Sequence, residues 1–205
     1  MTEELTDSAI LFRLVYQAMR RAGLPTEQIL AQAGVAIAQV EASARTPLYS
    51  QVMFWHAAES VTQDSAVGLH LGEHLPLYRG QVIEYLFMSS GSFGDGLRRA
   101  LAYQRLVSDV LNAKLVMEGD QCYLTNGPTR YRDLQVLRHF TECFLMGVLR
   151  FFRFITEGKF EILRIELDYP HGATAQEYQR TLGCPVVLGQ AETRLYFNSD
   201  ILNYP

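Results

Sequence analysis

The chain has 205 residues, of which 48% are hydrophobic, so it can bury a core of ordinary size, most simply as one domain. Its 18 Lys and Arg against 22 Asp and Glu give a formal net charge of -4, which excludes the basic excess that neutralises nucleic-acid phosphates. The three cysteines, Cys122, Cys143 and Cys184, are scattered and form no C-x-x-C pair, so neither a disulfide framework nor a structural zinc is expected.

The chain shows no signal for export or for a membrane. It begins MTEELTDS, which is acidic where a secretory signal is basic. The most apolar stretch, CFLMGVLRFFRFI, is interrupted by Arg150 and Arg153 and does not reach the length of a bilayer span. We therefore expect a soluble protein that is cytoplasmic and has no membrane partner.

Residues 1–75 predict a helical subregion. The stretch DSAILFRLVYQAMRRAG predicts an amphipathic helix with Asp7 or Ser8 as its N-cap and Gly23 as its stop. Two short helices, TEQILAQAG and IAQVEAS, follow it. Thr46 and Pro47 then suggest a capped helix start before LYSQVMFWHAAESVTQ, and SAVGLHLGEHL predicts a weaker helical turn.

Residues 76–205 predict a mixed subregion. A helix pair, the second capped by Ser92, precedes two strands joined at Gly119 and Asp120. A long helix over 131–156, an alternating strand in KFEILRIELDYP, a short helix and two final strands complete the order. The predicted fold is α+β, in which a helical N-terminal portion packs on a small, mainly antiparallel sheet with a long central helix.

The motif HLGEH has the pattern of an inverted zinc hydrolase, in which His70 and His74 bind the metal and Glu73 acts as base. That motif needs a continuous helix, whereas Gly72 interrupts this one and Pro76 follows it. A helix end that carries two solvated histidines is the favoured interpretation. No serine lies in a nucleophile elbow, so neither an enzyme nor a cofactor or metal site is predicted.

The stretch SSGSFGDG has glycines that suggest a phosphate loop, but no strand precedes it and it lacks the G-K-[ST] order. We interpret its three glycines as a turn between two helices.

Three segments together resemble a known family. They are RTPLYSQVMFWHAAESVTQDSAVGLHLGEHL, GQVIEYLFMSSGSFGDGLRRALAYQRLVSD and IELDYPHGATAQEYQRTLGCPVVLGQAETRLYFNSDIL. They resemble the N-terminal effector domain of AraC/XylS-type bacterial transcription regulators, in the ornithine-utilisation-regulator-like subset labelled an arabinose-binding domain. The similarity extends from about Ala9 to Pro205 and rests on framework residues, among them Gly68, Gly72 and Gly183.

The resemblance implies a division of labour. It implies a single domain over 1–205 that senses a small-molecule effector and forms a homodimer, while DNA is bound only through a helix-turn-helix domain expected after residue 205. The closing SDILNYP, a strand that runs into a proline, agrees with that expectation. The apolar helices over 8–22 and 131–156 are candidates for the dimer interface. No sugar specificity is carried over, because the effectors of this subset are chemically diverse.

Candidate ligand-binding residues come from the aromatic content. Tyr85, Tyr103 and Tyr123 lie on segments expected to meet near the long helix and the sheet, where an apolar cavity with a few hydroxyls would form. Arg138 and His139 are the candidates for an anionic group of the ligand. The alternatives are tyrosines that only pack or reach water, a ligand-free dimerisation module, and a metal-dependent hydrolase.

Overall fold

The protein is described by a computed structural model for residues 5–41, 44–77, 80–126 and 137–205. The helices of these ranges are α1 (Ile10–Arg21), α2 (Thr26–Ala33), α3 (Ile37–Glu41), α4 (Leu48–Thr62), α5 (Val67–Glu73), α6 (Val82–Met88), α7 (Phe93–Ala102), α8 (Arg138–Ile155) and α9 (Ala175–Thr181). The strands are β1 (Thr6–Asp7), β2 (Thr46–Pro47), β3 (Ala113–Glu118), β4 (Gln121–Asn126), β5 (Ile162–Glu166), β6 (Val186–Val187) and β7 (Thr193–Asn198). Short 3-10 helices cover Gln104–Leu106 and Ser199–Asn203.

The larger sheet has the strand order β3-β4-β7-β5-β6, and only its β5–β6 pair is parallel. The predicted turn at Gly119 is confirmed, because β3 and β4 form an antiparallel hairpin in which Gly119 has a φ of +63°. Within the described ranges, the smaller sheet consists of β1 and β2. The α+β fold class is therefore confirmed.

Two hydrophobic cores meet along α8. The sheet core packs the inner face of the large sheet against α6, α7 and α8, and it contains Phe87, Phe93, Phe152, Phe160 and Phe197. The helical core packs α1, α2 and α4 together with α5, and its largest buried side chains are Phe54 and Trp55. Helix α8 supplies side chains to both cores: Phe140 and Cys143 to the helical core, Leu145, Met146, Leu149, Phe151 and Phe152 to the sheet core.

Several local predictions were wrong for identifiable reasons. Thr46 does not cap α4, because it belongs to β2, and Pro47 at the N-cap offers no side-chain hydrogen bond. The turn interpretation of SSGSFGDG holds for Gly91 alone, since Gly94 and Gly96 lie inside α7. A bulge between Ile162 and Arg164 breaks the strict alternation of β5, so that Ile162 and Ile165 are both buried.

The apolar surface proposed for self-association is mostly internal. The apolar residues of α1 face the helical core, and its exposed residues include Gln17, Arg20 and Arg21. Helix α8 is confirmed from Arg138 to Ile155, and the start of the predicted helix, 131–136, lies outside the described residues. Most of its apolar side chains are likewise buried in the two cores.

Candidate functional site

A cavity of about 150 Å³ lies where the two cores meet. It is bordered by α6, α7 and α8, by the chain that enters β3, and by β4. Among the described residues, three polar side chains contribute to its lining: Gln81, Glu84 and Gln104. The other lining residues are apolar: Leu11, Ile83, Phe87, Leu97, Ala100, Leu101, Val107, Leu111, Ala113, Leu124, Phe144, Val148, Phe151 and Phe152.

A close approach of α6 to α7 forms one wall of the cavity. Gly96 allows it, because a Cβ atom at this position would lie 2.5 Å from Cδ1 of the Phe87 ring. The Phe87 ring also makes edge contacts with Phe93 and Phe151, at centroid distances of 5.2 and 5.8 Å. These contacts hold the aromatic wall in one position.

The polar side chains of the lining already have partners within the protein. Gln104 forms two hydrogen bonds with the backbone of Ala113: Nε2 donates to the carbonyl oxygen at 3.1 Å, and Oε1 accepts from the amide at 2.7 Å. Gln81 and Glu84 form a capping box at the start of α6, in which the backbone N–H of Gln81 donates to Glu84 Oε2 at 3.1 Å. The cavity therefore presents a mainly apolar environment, with one buried carboxyl group at its edge.

The three predicted tyrosines lie next to the cavity in sequence but do not line it. Tyr85 and Tyr103 are 59% and 54% exposed, and the Tyr123 ring contacts the Tyr196 ring in a tilted arrangement on the outer face of the sheet, with ring centroids 5.0 Å apart. The lining residues adjacent to them in the chain are Glu84, Gln104 and Leu124. The predicted segments thus reach the cavity with their neighbouring side chains, and ligand binding by the tyrosines stays a prediction.

Arg138 and His139 lie at the N-terminal end of α8, outside the lining of the cavity. The His139 ring is buried, its Nδ1 accepts a hydrogen bond from the Gly68 amide at 3.4 Å, and its Nε2 lies 3.2 Å from Glu59 Oε2. The Arg138 guanidinium donates to the Ser65 carbonyl and lies 3.7 Å from Glu59 Oε1. Both side chains thus pair with Glu59, and their role toward an anionic ligand also stays a prediction.

A buried carboxyl group on α8 was missed by the sequence analysis. Glu142 is fully buried, and its Oε1 accepts hydrogen bonds from Tyr178 at 2.5 Å and from Tyr169 at 3.2 Å. Burial, together with the charge of Glu142, raises the pKa of both hydroxyls. This network holds α9 and the chain after β5 against α8. The sequence signal that could have indicated this buried carboxyl group is the spacing of His139 and Glu142, which lie three residues apart on one helix face.

Two residues of the HLGEH motif, His70 and Glu73, pair with other side chains. His70 lies between Asp64 and Glu177, with Nδ1–Oδ2 and Nε2–Oε1 distances of 2.5 and 2.8 Å. Burial opposes protonation of His70, but the hydrogen bonds with Asp64 and Glu177 outweigh it and raise the pKa. Glu73 receives two hydrogen bonds from Arg180 at 3.1 and 2.9 Å. No group of three His, Cys, Asp or Glu side chains in the described ranges could hold a metal ion.

The glycines of the same motif serve helix packing. A Cβ at Gly68 would lie 2.4 Å from the His139 carbonyl oxygen, and a Cβ at Gly72 would lie 2.5 Å from Met146 Cβ. Helix α5 is nevertheless continuous from Val67 to Glu73, so Gly72 does not interrupt it as predicted. The two glycines let α5 cross α8 closely.

The comparisons with known proteins identify a regulator family. Residues 23–205 match the family described as the arabinose-binding domain of AraC transcription regulator, N-term. The fold is similar to the crystal structure of the transcriptional regulator CdpR from Pseudomonas aeruginosa, with a TM-score of 0.60 and 19% sequence identity over 86% of this chain. The chain covers 54% of that regulator, about half its length. No curated protein matches the sequence. None of the helices in the described ranges has the length and apolar character needed to cross a membrane.

Proposed function

The chain belongs to the family of N-terminal arabinose-binding domains of AraC transcription regulators, and on this premise we propose that it senses a small organic metabolite and mediates dimerisation. The cavity between α6, α7 and α8 carries the proposal, because an apolar cavity with few polar groups is the usual form of a small-molecule site. A regulator with such a site needs no catalytic residues, so we propose no enzymatic activity.

DNA binding is assigned to a different part of the regulator. The net charge of this chain is -4, so it has no excess of cations to displace counterions from a duplex. We expect the isolated chain to leave promoter DNA unshifted in a gel at physiological salt, while the full-length regulator shifts it. Sequence-preferential binding by the isolated chain would contradict this assignment.

Self-association is proposed through the outer face of α6. Val82, Tyr85 and Met88 repeat every three residues on this helix and are 62%, 59% and 54% exposed. We propose that the partner is a second copy of the chain, because a two-fold dimer places the same uncharged apolar stripe on both sides of the interface. Sedimentation should give a dimer for the wild-type chain and a monomer for a Val82→Ser and Met88→Ser double variant. A wild-type chain that stays monomeric at high concentration would overturn the proposed dimer.

The sensing function is tested by a thermal screen. A ligand that binds only the folded state stabilises it by about 3 kcal/mol at a hundredfold excess over its Kd. We expect at least one compound among amino acids, short-chain acids, fatty acids and aromatic metabolites to raise the Tm. Ala100→Phe, which inserts a ring into the cavity, should abolish the shift, while Ala102→Phe on the exposed end of α7 should retain it.

The competing function is a dimerisation module that binds no ligand. It predicts a dimer in sedimentation but no Tm shift for any compound in the screen. It also predicts that Ala100→Phe in the full-length regulator leaves transcription from the target promoter unchanged.

A further inference from the structure

The chemistry of the cavity lining selects the class of ligand. We infer that the cavity binds an uncharged apolar group about the size of one six-membered ring, and that it excludes sugars, although the family takes its name from arabinose. This inference rests on the proposed function, because it concerns the ligand of the same cavity.

The first argument is the inventory of hydrogen-bonding groups. The described lining contributes three polar side chains, of which Gln104 is held by Ala113, while Gln81 and Glu84 are joined in the capping box. A pentose carries a hydroxyl on most of its carbons, and each must exchange its water for a protein partner on entry. A buried hydroxyl without a partner lowers the affinity by about tenfold, so several of them together exclude binding at ordinary concentrations.

The second argument is charge. Glu84 is 2% exposed and lies at the edge of the cavity, and the described lining contains no Arg, Lys or His that would neutralise an anion. An ionised carboxylate brought into this space would lose its water and meet a carboxyl group. The part of the ligand inside the cavity is therefore uncharged.

The third argument is size and shape. A cavity of about 150 Å³ lined by apolar side chains is the size that accommodates benzene in a well-studied engineered protein. Here Phe87, Phe151 and Phe152 offer ring faces and edges to an aromatic guest. Leu11 of the helical core and Leu97 of the sheet core would touch the same guest, so a bound ring joins the two cores.

The test compares three probes on the 205-residue chain by calorimetry and by Tm: toluene, benzoate and L-arabinose. Benzoate is the matched control for charge, since it has the same ring as toluene, and arabinose tests the hydroxyl argument. We expect toluene to bind at least tenfold more tightly than benzoate, and arabinose to give no heat and no shift. Ala100→Phe and, independently, Val148→Phe should weaken toluene binding at least tenfold, whereas Ala102→Phe should leave it unchanged.

Each other outcome overturns a stated part of the inference. Equal binding of benzoate and toluene would overturn the uncharged class. Binding of arabinose that Ala100→Phe and Val148→Phe abolish would overturn the apolar class while leaving the proposed sensing function intact. Toluene binding that survives both variants would overturn the location, and an absence of toluene binding to the wild type would overturn the inference even where the metabolite screen yields a ligand.

Discussion

The two cores on either side of α8 use different packing solutions. In the sheet core, large rings make a continuous chain from α6 to β7, with centroid distances between 5.0 and 5.2 Å: Phe87–Phe93, Phe93–Phe152, Phe152–Phe160 and Phe160–Phe197. In the helical core, buried alanines let the helices approach: Ala18, Ala57 and Ala58. The helical core also contains the ring contacts Phe12–Phe54 and Phe54–Trp55, but its helix contacts depend in addition on small residues, so the two cores should respond differently to an added side chain.

The boundary between these cores is where the cavity lies. Rings from the sheet core and aliphatic side chains from the helical core meet there without filling the space. A ligand at this boundary would add contacts to both cores at once. A small apolar group bound there could therefore stabilise the whole chain. Because each core has its own packing, substitutions in each core can be tested separately.

Removing a ring from the sheet core should have the largest effect. Phe160 is 2% exposed and contacts Phe93, Phe152 and Phe197. Phe160→Ala should lower the free energy of unfolding by about 4 kcal/mol, because a cavity replaces a ring inside the chain of aromatic contacts. Urea denaturation measures the loss. Phe154→Ala, which truncates an exposed ring, is the control and should cost less than about 1 kcal/mol. Similar losses for both variants would contradict the proposed role of the ring chain.

Adding one methyl group where α5 crosses α8 should have the next largest effect. Gly68→Ala would place its Cβ 2.4 Å from the His139 carbonyl oxygen, a backbone atom that cannot rotate away. The helices must separate, and we expect a loss of about 2 to 3 kcal/mol in urea denaturation. Gly91→Ala has no atom within 4 Å of its new Cβ and should change stability by less than about 0.5 kcal/mol. A Gly68→Ala variant as stable as the wild type would show that this crossing tolerates separation.

Much of the fold could be predicted from the sequence because its signals are local. The amphipathic pattern of α1, the Ser92 cap of α7 and the turn at Gly119 each depend on residues close in the chain, and the structure confirms them. The close helix crossings could not be predicted, because the roles of Gly68 and Gly96 depend on residues of another helix that face them, His139 and Phe87. A glycine that breaks a helix and a glycine that lets another helix approach look alike in a single sequence.

The candidate site was predicted to the level of its elements but not of its side chains. Each predicted tyrosine is one residue away from a lining residue, and one residue rotates a side chain by about 100° in a helix and to the opposite face in a strand. The lining neighbours of Tyr85 and Tyr103 are the polar residues Glu84 and Gln104, which the pattern of apolar residues does not mark as inward-facing. The pairing of Arg138 and His139 with Glu59 was also hidden, because it joins α8 to α4 across the helical core.

The smallest predicted effect concerns His70 on α5. Its side chain links two regions of the chain, Asp64 in the turn before α5 and Glu177 on α9. Its pKa is raised in the folded chain, so the stabilisation is complete below the ordinary value of about 6.5 and is lost as the pH rises through the folded-state pKa. The side chain is 38% exposed, and solvent screening limits the contribution to less than about 1 kcal/mol. Glu73 and Arg180 also lie in this cluster, where they form an ion pair with an N–O distance of 2.9 Å. Chemical denaturation measures the free energy of unfolding of both proteins at pH 6 and at pH 8. We expect the wild type to lose more stability than His70→Gln between pH 6 and pH 8. His171→Gln, at an exposed histidine, should retain the wild-type dependence. Identical pH dependence in the wild type and His70→Gln would mean that this histidine does not couple the two regions.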